Sequence, residues 1–164
     1  MKPTASLLTL LCAALPALAQ QAPTTATPAA PASAPAALYD AAKAQAWGAN
    51  DLGLRAYTLV LLKTGPKRMP DGPERDAMFK GHFANMQRLA REGLLVYAGP
   101  LDGQQDLRGL FIFATTDLEA ARKAIDTDPV VINGEMVAEL HKHLGSAALM
   151  GVNEQHVRLI RPKP

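Results

Sequence analysis

Four short apolar stretches, each bounded by glycine, proline or polar residues, follow one another along the chain after residue 55. They read YTLVLLK, LLVYA, LRGLFIFA and GEMVAELH, and they occupy 57–63, 94–98, 107–114 and 134–141. Runs of this length, rich in β-branched and aromatic residues and closed by turn formers, are typical of strands. The pattern predicts four strands, the second of which ends at Gly99-Pro100.

The segment between the first two strands, Glu74–Glu92, has the spacing of a helix. Phe79, Phe83 and Met86 recur three or four positions apart, so a helix would place them on one face. Gly93 follows directly and is a common residue just after a helix end. We therefore predict one long helix between the first and second strands.

A second helix is predicted between the third and fourth strands, from Asp117 to about Thr127. Thr116 is placed as its N-cap, with Glu119 at the capping-box position. Asp128-Pro129 ends it, because the residue before a proline is disfavoured in helical conformation.

The predicted order β-α-β-β-α-β is the ferredoxin-like split motif, an α+β fold. Its strands are apolar on both faces: in the first, Tyr57, Leu59 and Leu61 alternate with Val60 and Leu62. An antiparallel sheet with one wet face alternates apolar and polar residues instead. The second face therefore needs a cover, and a second copy of the chain is the simplest one. We predict a homodimer of the dimeric α/β-barrel type, packed sheet to sheet.

The first 55 residues precede this motif. Lys2, a short apolar run and Ala17-Leu18-Ala19 predict a signal peptide over 1–19, cleaved after Ala19. Residues 20–36 are rich in Pro, Ala and Thr and predict a disordered tether, and 37–55 predict a lead-in helix and loop. The domain itself is expected over 56–164, where a small helical turn near 146–150 and a polar tail form its C-terminal extension.

Composition narrows the class of protein. The net charge of +2 falls to about +1 when Lys2 is removed, which gives no basic face for nucleic acid. Cys12, the single cysteine, lies in the predicted leader, and Leu11 before it does not suit a lipid anchor. No later stretch is long and apolar enough to cross a membrane. These features predict a periplasmic or secreted protein without disulfides.

His82 and Asp128 are the candidate acid–base pair. His82 lies at the margin of the apolar stripe of the first helix, where an imidazole can exchange protons near neutral pH. A carboxylate beside it would fix its tautomer. Each residue also has a structural interpretation, as a boundary histidine or as a turn aspartate. Asp126 is two residues away, and the sequence does not choose between the two carboxylates.

Other polar residues suggest further chemistry. Arg108 is placed to bind a substrate carboxylate, or else to form a surface or dimer ion pair. Glu139, His141 and His143 alternate along the fourth strand, so they predict either a divalent-metal site or a solvated face on which Glu139 pairs with Arg108 or Lys63. No Gly-rich phosphate loop is present, and no cofactor is predicted.

Three segments together resemble the YciI-like (YCII-related) family. They are HFAN at 82–85, EGLLVYAGP at 92–100 and RGLFIF at 108–113, followed by Asp128-Pro129. The resemblance covers roughly 47–157. It implies a dimeric ferredoxin-like fold and an active site built from His82 and Asp128. Gly99-Pro100 is predicted from the residues themselves to turn the chain sharply at the strand end and to let the backbone approach a ligand closely. The leader and tether depart from the typical short cytoplasmic member.

The resemblance also suggests a reaction. Similar relatives include a dehydrochlorinase acting on a ring-derived lactone, and the wider superfamily includes muconolactone isomerase. The leading hypothesis is a cofactor-free enzyme that eliminates or isomerises a small organic acid or lactone. The alternatives are a dimeric module that only binds a small ligand, and a metal-binding envelope protein.

Overall fold

The computed structural model describes residues 39–162. The strands β1 to β4 are Leu54–Thr64, Leu95–Pro100, Leu107–Phe113 and Met136–Ser146. The helices α1 to α5 are Ala41–Ala46, Pro73–Arg91, Leu118–Ile125, Pro129–Ile132 and Val152–Leu159, with 3₁₀ turns at Gln104–Asp106 and Ala147–Gly151. The predicted signal peptide and tether lie outside the described residues.

The four strands form one antiparallel sheet with the order β2-β3-β1-β4. β1 lies in the centre and pairs with β4 along its full length, from Leu54 opposite Ser146 to Thr64 opposite Met136. This order, with helices connecting β1 to β2 and β3 to β4, is the ferredoxin-like arrangement. The predicted α+β fold is confirmed.

One face of the sheet carries the main core. Val60 and Leu62 of β1 and Phe111 and Phe113 of β3 point to this face and are fully or almost fully buried. Helices α2, α3 and α4 cover it with the buried side chains of Met78, Leu89, Ala121, Ile125 and Val130. Burial of these apolar side chains is the main stabilising contribution to the domain.

The second face is covered at one end by the chain itself. Tyr57, Val96 and Ile112 form a buried cluster, and Leu149 and Met150 from the 3₁₀ turn after β4 pack against it. The chain itself therefore covers part of the face for which the sequence predicted a second copy as cover. Toward the other end, Val137 of β4 stays 43% exposed.

Two strand boundaries differ from the prediction. Gly99 and Pro100 do not end β2 but belong to it, opposite Leu110 and Gly109. Proline is tolerated there because β2 is an edge strand and lacks a second neighbour that would need its N–H. β4 begins only at Met136, since Gly134 adopts a turn conformation with φ of 73°, and it continues past His141 to Ser146.

The helix ends also differ in part. The N-cap of α3 is Asp117 rather than Thr116: its carboxylate accepts from the backbone N–H of Glu119 and of Ala120. Glu119 then stands one position too early for a capping box. The end of α2 is as predicted, with Gly93 at φ of 74°.

The predicted polar tail contains the helix α5, Val152–Leu159. The Asn153 amide donates to the Leu95 carbonyl over 2.7 Å and joins this helix to the edge strand β2. None of the helices between residues 39 and 162 has both the length and the apolar character needed to span a bilayer.

Candidate functional site

His82 of α2 and Asp128 of the α3–α4 connection meet in the interior. The His82 Nδ1 lies 2.9 Å from each carboxylate oxygen of Asp128. His82 is 7% exposed and Asp128 is fully buried. The structure thus brings together the two residues that the sequence proposed as a pair, and it buries His82 more deeply than the expected half-buried margin.

The local sequence explains why the carboxylate is held there. Asp128 is the N-cap of α4, and its Oδ1 accepts from the Val130 N–H over 3.1 Å. Pro129 occupies the first turn of α4, where its missing N–H is no disadvantage. Gly81, next to His82, lets α2 approach: a Cβ there would lie 3.0 Å from the Pro129 ring. The close approach of α2 to α4 brings the imidazole to the carboxylate.

Asn85, one helical turn after His82, also contacts Asp128. Its amide nitrogen lies 3.4 Å from Asp128 Oδ2, a long hydrogen bond. Its carbonyl oxygen accepts from Arg88 over 2.7 Å and from the Thr127 hydroxyl over 3.2 Å, which fixes the orientation of the amide. No role was predicted for Asn85 from the sequence, although its i+3 spacing from His82 places it on the same helix face.

The hydrogen bond to Asp128 determines which imidazole nitrogen is free. Nδ1 faces a carboxylate and therefore carries the proton, which leaves the Nε2 lone pair of the neutral ring as the proton acceptor. The ring is surrounded by aromatic side chains: Phe111 stacks on it at 6.0 Å, and Phe79 and Phe83 lie at 6.1 and 5.3 Å between centroids. Such an apolar setting strengthens polar contacts with a bound ligand.

A cavity of about 370 Å³ opens beside this imidazole. His82, Phe79, Phe83, Met86 and Phe111 form its inner wall. Gly99, Pro100 and Arg108, the three residues predicted to contact a ligand, also line it. Its volume is within the range of small-molecule sites.

The sequence left open which carboxylate contacts His82 and whether Arg108 forms an ion pair, and the structure answers both questions. Asp126 points away from His82 and forms an exposed ion pair with Arg122 at 3.8 Å, so Asp128 alone is the imidazole's partner. Arg108 belongs to none of the ion pairs formed among residues 39–162. Its guanidinium is therefore available to an anionic ligand.

The polar residues Glu139, His141 and His143 of β4 lie on the second face of the sheet, away from His82. Glu139 contacts His141 at 2.8 Å and Lys63 at 3.4 Å, and these contacts lower the pKa of Glu139, chiefly through Lys63. Lys63, rather than Arg108, is its basic partner. No group of three His, Cys, Asp or Glu suited to a metal ion occurs in the described part of the chain. The predicted metal site is not supported.

A buried glutamate, Glu135, is linked to the wall of this cavity through Arg75. Glu135 is 1% exposed and accepts from the Met69 N–H over 2.7 Å and from Arg75 over 2.9 Å. Burial raises the pKa of Glu135, but these two hydrogen bonds and the charges of Arg75 and Arg68 outweigh it and hold the pKa below its ordinary value. Arg75 lies over the Phe79 ring at 4.7 Å, which connects the pair to the wall around His82.

Fold and site together define a ferredoxin-like α+β protein with a buried His–Asp pair at a ligand-sized cavity. The family model described as the YCII-related domain matches residues 56–140. The chain belongs to this family, as its resemblance suggested. No curated protein matches the chain.

Proposed function

We propose that the protein is an acid–base enzyme in which His82 transfers a proton and Asp128 orients it. The observation that carries this proposal is the 2.9 Å contact of Nδ1 with a fully buried carboxylate, which leaves Nε2 beside a cavity. A base held in one tautomer at a ligand-sized cavity is the arrangement that proton abstraction requires. No cofactor takes part in the proposed chemistry.

The proposed substrate is an organic acid or its lactone. Arg108 binds the carboxylate, and the strand segment Gly99-Pro100 forms the opposite wall. His82 Nε2 removes a proton from the carbon next to the carbonyl. In an elimination, the electron pair left on that carbon forms a double bond as a leaving group departs from the neighbouring carbon. In an isomerisation, the imidazolium returns the proton to a different carbon of the conjugated anion.

This proposal is tested with a panel of substituted lactones and unsaturated acids, followed by absorbance and chromatography. We expect His82→Gln to lower kcat/KM by about 10²- to 10⁴-fold, the usual contribution of a general acid–base group. His143→Gln, at a histidine of β4 that does not line the cavity that holds His82, serves as the matched control and keeps full activity. Equal turnover by wild type and His82→Gln would rule out His82 as the acid–base group, and no turnover of any panel member by the wild type would favour ligand binding without catalysis.

We further propose that the protein forms a homodimer through the second face of the sheet. Leu59, Leu61 and Leu110 are only partly buried on this face, and Val137 is 43% exposed. Apolar patches of this kind mark interfaces. The dimer leaves the His82 cavity, on the helix-covered face, with its own entrance.

The proposed location is the periplasm or the exterior, reached by a leader that is cleaved after Ala19. The apolar run and the small-residue site at 17–19 support it. N-terminal sequencing of the protein recovered from an expressing bacterium would then begin at Gln20.

A further inference from the structure

A second cavity of about 250 Å³ lies beside the cavity that holds His82. Met86 of α2 and Ala98 of β2 line both cavities, so the two are neighbours along the groove between this helix and this edge strand. The C-terminal helix α5 forms the far wall of the second cavity through Val152 and His156. Arg108 lines the first cavity, whereas no Asp, Glu, Lys or Arg between residues 39 and 162 lines the second.

The second cavity has an apolar floor and no charged wall. Met86, Ala90 and Leu95 belong to the main core or pack against it, and Val152 faces them from α5. The Asn153 amide is already committed to the Leu95 carbonyl. No Asp, Glu, Lys or Arg is among the described residues that line this space. Gln87, Tyr97 and His156 complete the lining around this apolar floor. The space therefore suits an uncharged, mainly apolar group.

The first cavity provides the complementary charge. Arg108 lines it but not the second cavity, and it stands at the same end as Gly99 and Pro100. A ligand that extends through both spaces would thus place an anionic head near Arg108 and His82 and an apolar tail beyond Met86. The flexible thioether side chain of Met86 can move to admit such a tail.

The volume sets the length of the tail. The second cavity, about 250 Å³, equals the volume of roughly eight water molecules in the liquid. A methylene group is of similar size, so the space accepts about six to eight carbons of an alkyl chain or one aromatic ring.

We propose that the natural ligand is an amphiphilic organic acid whose apolar tail occupies the cavity between α2, β2 and α5. This inference rests on the proposed function, because the acid head is the group that reaches Arg108 and His82. It makes Met86, Ala90 and Val152 the determinants of chain-length specificity.

The experiment uses straight-chain monocarboxylates from butanoate to decanoate, titrated into the protein and followed by NMR and calorimetry. Each methylene that leaves water contributes about 0.8 kcal/mol, so Kd should fall roughly three- to fourfold per carbon until the tail fills the second cavity. The affinity should then stop rising.

Two variants locate the tail from opposite walls. Ala90→Phe fills the cavity from α2 and Val152→Phe fills it from α5, and either should abolish the dependence on chain length without changing the Kd of butanoate. Ala77→Phe and Val157→Phe are the matched controls, since both positions are exposed on the same two helices and line neither cavity. If one of these two variants fails to fold, the other still shows whether the tail occupies the second cavity.

The outcomes separate this inference from the proposed function. Butanoate that binds through Arg108, lost in Arg108→Gln, with no gain for longer acids would overturn the tail site and leave the acid site standing. A length dependence that persists in both filling variants would also overturn it, because the tail would then lie elsewhere. Failure of every acid to bind would contradict both proposals.

Discussion

His82 Nδ1 lies 2.9 Å from both carboxylate oxygens of Asp128, although the two residues are 46 positions apart in the sequence. The contact joins α2 to the start of α4 and leaves Nε2 free at the cavity. It serves the fold as well, because Asp128 also caps α4 through the Val130 N–H. A useful substitution must therefore separate the two roles.

Asp128→Asn makes this separation. The asparagine oxygen can still accept from the Val130 N–H, so we expect α4 to keep its cap. The negative charge that holds the proton on Nδ1 is lost, and ¹⁵N NMR should show a mixture of His82 tautomers in place of a single one. Turnover should fall by about 10²-fold or more. Asp126→Asn, at the exposed neighbour, is the control and should change neither result; a single unchanged tautomer in Asp128→Asn would contradict the assignment.

Gly81→Ala tests the close approach of the helices. A Cβ at this position would lie 3.0 Å from the Pro129 ring, so the ring or α2 must shift by a few tenths of an ångström. Alanine favours a helix over glycine by about 1 kcal/mol, yet we expect a net loss of stability and a longer His82–Asp128 distance. Thermal unfolding and a crystal structure of the variant measure both. Ala84→Gly, at an exposed position of α2, measures the effect of helix propensity alone. A Gly81→Ala protein that is more stable than wild type and keeps the His82–Asp128 hydrogen bond would contradict the expected clash with Pro129.

Glu135 predicts how stability depends on pH. Its pKa in the folded state lies below the ordinary value of 4.5, so the unfolded chain binds more protons in that interval. The stabilisation is therefore complete above the ordinary pKa and is lost as the pH falls through the lowered folded value. Glu135→Gln should lower the free energy of unfolding by about 3 kcal/mol at neutral pH, because Arg75 loses its buried partner. The difference from wild type should shrink in acid, as followed by denaturant titration at several pH values.

Glu92→Gln is the matched control for this experiment. Glu92 pairs with Arg88 at 2.9 Å, but both side chains are substantially exposed. Such a surface pair contributes less than about 1 kcal/mol. Equal losses of unfolding free energy in the two variants at neutral pH would show that burial does not strengthen the contribution of the Glu135 ion pair to stability.

The proposed dimer predicts a mass of twice the chain by size exclusion with light scattering. Leu61→Lys should yield a monomer at micromolar concentration, since it places a charge in the proposed interface. The monomer itself should stay folded, because Glu139 lies directly opposite Leu61 on β4. Ile132→Lys, at a residue 67% exposed on α4, should remain a dimer. A monomeric wild type would contradict the sheet-to-sheet assembly.

The strands were predictable because short apolar runs closed by turn formers mark them. The helical spacing of Phe79, Phe83 and Met86 predicted α2 but not its buried face: Phe83 is 56% exposed, and the buried residues of α2 are Met78, His82, Asn85 and Leu89. α5 was missed because it is short and none of its residues is buried. The extension of β4 beyond His141 depends on pairing with the start of β1, which local sequence does not show.

The candidate site was predictable only in part. Family resemblance pointed to His82 and Asp128, but rejecting Asp126 required the geometry of α4. Glu135 could not be identified, because a buried glutamate has the same sequence signature as an exposed one until Arg75 and the Met69 N–H are seen around it.

Proton transfer by His82 is tested most directly by deuterium exchange. The panel of lactones and unsaturated acids is incubated with protein in D₂O, and ¹H NMR follows the signal of the carbon-bound proton next to the carbonyl. We expect deuterium incorporation with wild type and with Asp126→Asn, and its loss with His82→Gln. Incorporation at the same rate with His82→Gln as with wild type, or none with any member of the panel, would contradict it.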